Sequence, residues 1–246
     1  MRSRAAGAAR GVRLLITAAG LLGMGAQVWA QSAAMPPAAK IAELTGYWVS
    51  VVTTLDWRLR MVVPPRGDYF GIRMTPEARR IADAWNPAKD EAAGNQCAYY
   101  GGATIMRIPG RVHFTQPDAK SLRLDFDAGT QSRIAHLSDG KSGTGDATWQ
   151  GESVAEWDAS GTGGLKITTR HLKAGYLRLN GVPYSENAVV TEFYDVVREG
   201  TGDQRMVVTG TVADPQYLQQ PFSYSVQFKK QANAAGWDPT PCSARW

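Results

Sequence analysis

The chain has 246 residues, with 27 lysines and arginines against 22 aspartates and glutamates and a formal net charge of +5. Arg2, Arg4, Arg10 and Arg13 crowd the N-terminus with no acid among them, so the rest of the chain carries 23 basic and 22 acidic side chains. That near-neutral remainder has no basic run or stripe, which argues against nucleic acid as a partner.

The arginines precede an apolar run, "LLITAAGLLGMGA", that is shorter than the ~20 residues a membrane-spanning helix needs. Val28 and Ala30 then supply small residues where a signal peptidase reads the chain. The pattern is that of a signal peptide over residues 1–30, with export to the periplasm or the cell exterior. Residues 31–40, "QSAAMPPAAK", read as a flexible or extended lead-in, and residues 41–246 as one barrel domain with no transmembrane segment.

Strand character opens with "GYWVSVVT", continues in "WRLRMVV" and stops at "PPRGDY". A helix is expected over residues 75–85. Thr75 is its N-cap, Pro76 its first residue and Glu77 lies in the first turn, while Ala78, Ile81, Ala82 and Trp85 share one face. That face should pack on a sheet or close one end of a barrel. A long loop containing Cys97 follows. Cys97 and Cys242 are the only cysteines, and in an oxidising compartment such a pair reads as a disulfide tying the loop to the C-terminal region.

From residue 104 onward, alternation dominates. "RVHFT", "SLRLDFD", "TQSRIAHL", "TWQGESVAEWD", "GLKITTRHL", "AVVTEFYDVVRE", "QRMVVTGTVA" and "PFSYSVQFKK" each place apolar residues on one face of a strand. Trp48, Trp57, Trp149 and Trp157 fall in these runs and read mostly as core. The expected fold class is all-β: a single antiparallel β-barrel, lipocalin-like, with one short α-helix near residues 75–85. Closure removes the exposed edges of so large a sheet, and a two-sheet sandwich is the alternative.

Two resemblances accompany this pattern. Gly46-Tyr47-Trp48 resembles the first-strand triplet of lipocalins, in which a basic residue from the end of the last strand packs over the Trp. Lys229 or Lys230 would take that part here. More of the chain resembles an uncharacterised family of secreted bacterial β-barrel proteins, through "WQGESVAEW", "LKITTRHLKAGYLRLNGVPYSENAVVTEFYD" and "VADPQYLQQPF". That resemblance implies a barrel and carries no activity.

The chemistry is sparse. "GESVA" approximates a nucleophile elbow, but Ser153 sits within an alternating strand rather than at a strand-to-helix turn, so it reads as packing. The three histidines, His113, His136 and His171, lack metal-ligand spacing, and no metal or cofactor is expected. His171 continues the inward face of Leu165, Ile167 and Thr169. Glu192 lies on an apolar strand face and needs a partner, for which Arg133, Arg170 and His171 are the candidates. The leading expectation is a lumen that binds a small apolar or aromatic molecule. Trp48, Arg133, His171, Tyr176, Tyr184 and Glu192 are its expected lining. An enzyme using His171 and Glu192 for acid–base chemistry is one alternative, and an envelope interaction protein with a filled barrel is the other.

Overall fold

The computed structural model describes residues 37–56, 60–137, 145–158 and 164–245. Residues 1–30, read above as a signal peptide, the start of the lead-in, Trp57 and most of the 138–146 turn lie outside the described residues.

In chain order the barrel strands are β1 (Gly46–Val51), β2 (Arg111–Asp118), β3 (Ser121–Phe126), β4 (Gln131–Leu137), β5 (Glu152–Trp157) and β6 (Leu165–Arg170). A short hairpin, β7 (Gly175–Tyr176) with β8 (Pro183–Tyr184), then interrupts. The long strands β9 (Val189–Arg198), β10 (Gln204–Ala213) and β11 (Phe222–Gln231) complete the wall. The sheet closes in the order β1-β11-β10-β9-β6-β5-β4-β3-β2. This is the all-β barrel expected from the alternating pattern.

One joint departs from the fully antiparallel arrangement. β4 and β5 run parallel, with Ala135 opposite Ser153, whereas every other joint is antiparallel. Parity explains it. A closed ring of nine strands cannot alternate direction all the way round, so at least one joint must be parallel. The β4–β5 register covers only Ala135–Leu137 of β4 against Ser153–Ala155 of β5. Above it the strands splay, because Thr148 pairs with Leu172 instead. A parallel joint also requires a crossover connection between β4 and β5, rather than a tight hairpin.

Each end is closed differently. At one end a helix, Pro37–Leu44, buries Ile41 and Leu44 beside Trp48. The lead-in therefore turns helical at Pro37, earlier than the expected boundary, because Ile41 and Leu44 find an apolar surface to cover. Trp48 is fully buried and its indole N–H donates to the Leu44 carbonyl at 2.7 Å. Lys230 Nζ lies 4.6 Å from the Trp48 ring centroid and donates to the carbonyls of Glu43 and Thr45, both at 2.6 Å. Of the two lysines considered for that position, Lys230 occupies it.

The opposite end is capped by the helix Pro76–Ala84, the β7–β8 hairpin and the segment around residues 98–108. Thr75 Oγ1 accepts from the Ala78 N–H, as its N-cap position requires, and Ala78 and Ala82 are fully buried. They pack with Leu172, Leu177, Val182, Tyr184 and the barrel-end residues Val190 and Val212. The long loop expected after this helix contains a second helix, Pro87–Ala92, capped by Asn86, whose side chain accepts from Ala88 N at 3.0 Å. Residues 60–63, read as strand from "WRLRMVV", form none. Their valines are exposed rather than laid against the barrel.

Cys97 and Cys242 form a disulfide, with Cα atoms 5.0 Å apart and 145 residues between them in sequence. The bond fastens the C-terminal segment across the capped end. Reduction is expected to lower unfolding stability by about 2–4 kcal/mol, because it frees a long loop in the unfolded chain. Denaturant titration with and without reductant measures this, and an unchanged midpoint would contradict it.

Among the described residues, no helix is long and apolar enough to cross a membrane.

Candidate functional site

Among the described residues, large apolar side chains crowd the barrel interior. Trp48, Phe114, Leu122, Leu124, Leu165, Ile167, Met206 and Val208 are all fully buried in one cluster. Trp48 is therefore a plug at one end, not a ligand contact.

A polar network crosses this apolar interior. Glu192 is wholly buried and forms an ion pair with Arg133, Nη2 to Oε2, at 2.9 Å. Arg133 is the partner among the three considered. The Tyr194 hydroxyl accepts from Arg133 Nη2 at 2.9 Å and donates to Glu192 Oε2 at 2.8 Å. The Tyr224 hydroxyl donates to Glu192 Oε1 at 2.7 Å. Gly210 makes the last bond possible. It lies between Glu192 on β9 and Tyr224 on β11, and a Cβ there would meet the Tyr224 ring at 2.2 Å. Without a side chain on β10, the phenol reaches across to the carboxylate.

The other expected lining residues lie elsewhere. His171 is exposed at the barrel rim, with Nδ1 3.2 Å from Glu152 Oε1, so it does not meet Glu192. The alternation that points Leu165, Ile167 and Thr169 inward ends at Arg170. His171 takes a left-handed backbone, φ 56°, and turns out of the strand. This removes the geometry of the expected acid–base pair. Tyr176 and Tyr184 belong to the cap. Tyr176 donates to Asp90 Oδ1 at 3.1 Å, and Tyr184 is buried against Gly101 and Gly175. Burial pushes the Tyr184 phenol well above its ordinary pKa. Ser153 is buried with its hydroxyl 2.7 Å from Thr169 Oγ1, a packed pair rather than an exposed nucleophile.

At the capped mouth the structure gathers three arginines that no sequence motif marks. Arg60 follows β1, Arg107 ends the turn Ile105–Arg107, and Arg178 lies in the β7–β8 hairpin. All three are buried, yet all three line a cleft of about 380 Å³ floored by Phe222, Tyr224 and Val226 of β11. Arg107 donates to the Leu177 carbonyl at 2.8 Å, which sets it beside Arg178. Its guanidinium carbon lies 4.8 Å from the Phe222 ring centroid and 5.7 Å from that of Tyr224. Arg60 Nε is 3.2 Å from Asp56 Oδ1, and Arg60 Nη2 donates to the Val51 carbonyl at 3.3 Å. Asp56 itself is fixed by the Thr53 N–H and hydroxyl, at 3.0 and 2.9 Å.

Two strings that are distant in sequence meet at the capped end beside these arginines. The Ser185 N–H and hydroxyl donate to the Asp214 carboxylate at 2.6 and 2.8 Å, joining "GVPYSEN" to "DPQY". Asn180 Nδ2 donates to the carbonyls of Pro65 and Asp68, at 3.2 and 2.8 Å, holding the segment after Arg60 against the hairpin.

No protein-family model matches the chain, and no curated protein matches its sequence.

Electrostatics separate the mouth cleft from the lumen. Burial lowers the Arg178 pKa to about 10, with Arg107 adding to the effect while Asp68 and Tyr99 oppose it. Burial likewise lowers Arg107 and Arg60, and for Arg60 Asp56 opposes while Arg107 reinforces. Within salt-bridge distance, among the described residues, Asp56 is the carboxylate that pairs with this trio. Crowding like charges away from water is unfavourable unless something compensates them. The Nε and Nη1 atoms of Arg60 and the Nε of Arg178 are buried without a hydrogen-bond partner among the described residues.

A second opening, about 370 Å³, lies where β4 and β5 splay, lined by Arg133, His136, Gln150 and Glu152 among others. The charge there is already paired, Arg133 with Glu192, so the slit presents no surplus for a ligand to neutralise. Chance sequence signals could not have assembled the mouth cleft. Arg60, Arg107 and Arg178 are far apart in the chain and meet only because the barrel end closes.

Proposed function

We propose that this protein is an exported barrel that binds a small organic anion in the arginine-lined cleft at its capped mouth. The reading keeps the ligand-binding barrel expected from the sequence and moves the site from lumen to rim. One observation carries it: three buried arginines share one open cleft, and among the described residues Asp56 is the carboxylate within salt-bridge distance of them. Guanidinium groups held in this way match the planar oxygens of a carboxylate or phosphate. Phe222 and Tyr224 supply apolar surface beside them, as small-molecule sites commonly do.

Methyl phosphate and benzoate are suitable probes. At about a hundredfold excess over Kd, a ligand bound only by the folded state raises stability by about 2.7 kcal/mol, which a thermal scan resolves. Arg107→Leu is expected to abolish that shift. Transition temperatures unchanged by either probe up to its solubility limit would overturn the proposal.

A further inference from the structure

The rim of the same cleft is apolar, and a bare anion has no use for that. Among the described residues six large apolar side chains are exposed, and three of them, Val62, Val63 and Phe70, lie beside the arginines. Phe70 lines the main cleft and is 63% exposed. Val62 and Val63 border a shallow crevice of about 10 Å³ with Tyr99 and Leu179, so they offer an exposed surface rather than a pocket. Arg60 and Arg178 border both spaces. Exposed apolar side chains thus border Arg60 and Arg178 from both spaces.

We infer that the cleft takes an anionic amphiphile, a phosphate monoester or carboxylate head with an alkyl or aryl tail. The head sits among Arg60, Arg107 and Arg178, and the tail leaves along Phe70, Val62 and Val63. This rests on the anion-binding reading above and adds the tail. The two-part surface matches a two-part ligand. A head alone would make no use of the exposed valines, and a neutral apolar molecule would leave buried guanidinium groups uncompensated. Asn180 contributes by holding the Pro65 and Asp68 carbonyls, which keeps the rim segment folded over the arginine floor.

Three probes separate the parts: methyl phosphate, octyl phosphate and octyl glucoside, each below its micellar concentration. Octyl phosphate is expected to bind about 100-fold tighter than methyl phosphate, at about fourfold per methylene buried for roughly half the tail. Octyl glucoside should bind far more weakly than octyl phosphate. The surface variants Val62→Ser with Val63→Ser, and Phe70→Ser, should lower octyl phosphate affinity toward that of methyl phosphate. Unchanged methyl phosphate affinity in the variant that combines Val62→Ser and Val63→Ser, residues outside the main cleft, would show the fold intact. Equal affinity for the two phosphates would overturn the amphiphile inference and leave the anion reading standing. Octyl glucoside binding as tightly as octyl phosphate, or no phosphate binding at all, would overturn both.

Discussion

Glu192→Leu is expected to destabilise the barrel by about 3–5 kcal/mol, because it strands a buried guanidinium. Arg133 and Glu192 are both wholly shielded from solvent, and the carboxylate also accepts from Tyr194 and Tyr224. Removing it leaves one cation and two hydroxyls without their acceptor. The paired replacement, Arg133→Met with Glu192→Leu, should recover most of the loss, since an apolar pair of similar volume has no desolvation to offset. Equilibrium denaturation of the two single variants and the double variant forms a complete cycle. A Glu192→Leu protein as stable as its parent would show that the charge is not buried as described. A double variant as unstable as the single would mean that the network, not the charge, holds the interior together.

Arg178→Met should act in the opposite direction on stability while weakening the proposed anion binding. The arginine is buried next to Arg107, and its folded pKa, about 10, lies below the ordinary 12.5. A lowered cation pKa means that folding disfavours the charged form. The penalty is present in full below pH 10 and disappears between pH 10 and 12.5, where the unfolded chain holds the extra proton. Replacing the charge with a thioether of similar length is therefore expected to raise stability by about 1 kcal/mol at neutral pH. The same change should weaken binding of an organic phosphate by about 30- to 100-fold, the worth of one or two charge-assisted hydrogen bonds. Affinity in the parent should hold steady from about pH 8, above the second ionisation of a phosphate monoester, to pH 10 and fall above it, as Arg178 loses its proton in the field of Arg107, Asp68 and Tyr99. Calorimetric titration across that range tests the sign. A variant that lost stability while keeping its affinity would remove Arg178 from the site.

Short-range chemistry was legible. The alternation in "SLRLDFD" and "PFSYSVQFKK" put Leu122, Leu124, Phe126, Val226 and Phe228 in the core. Thr75 and Pro76 placed the start of the capped helix, and the two cysteines found each other. The demand of a buried carboxylate for a partner pointed correctly to Arg133 as one of three. The reason is common to all. Side-chain alternation, capping and charge pairing act over one strand, one turn or one contact, so the local sequence contains them.

The remainder needed the closed barrel. Nine strands in a ring impose a parallel joint that no local pattern encodes. His171 left its strand face because the backbone turns left-handed just after Arg170, a change that strand alternation cannot register. Whether the lumen was open depended on how Trp48, Phe114 and Tyr194 fill a cylinder, which is a matter of volume in three dimensions. The arginine cleft is the furthest from the sequence. Each of its three cations is unremarkable in its own segment, and they acquire meaning only when the cap presses them into one low-dielectric space. The sequence by itself determined an all-β barrel, its helix and its disulfide. The tertiary structure alone decided where charge accumulates, because electrostatic repulsion and burial depend on distances that the chain order does not contain.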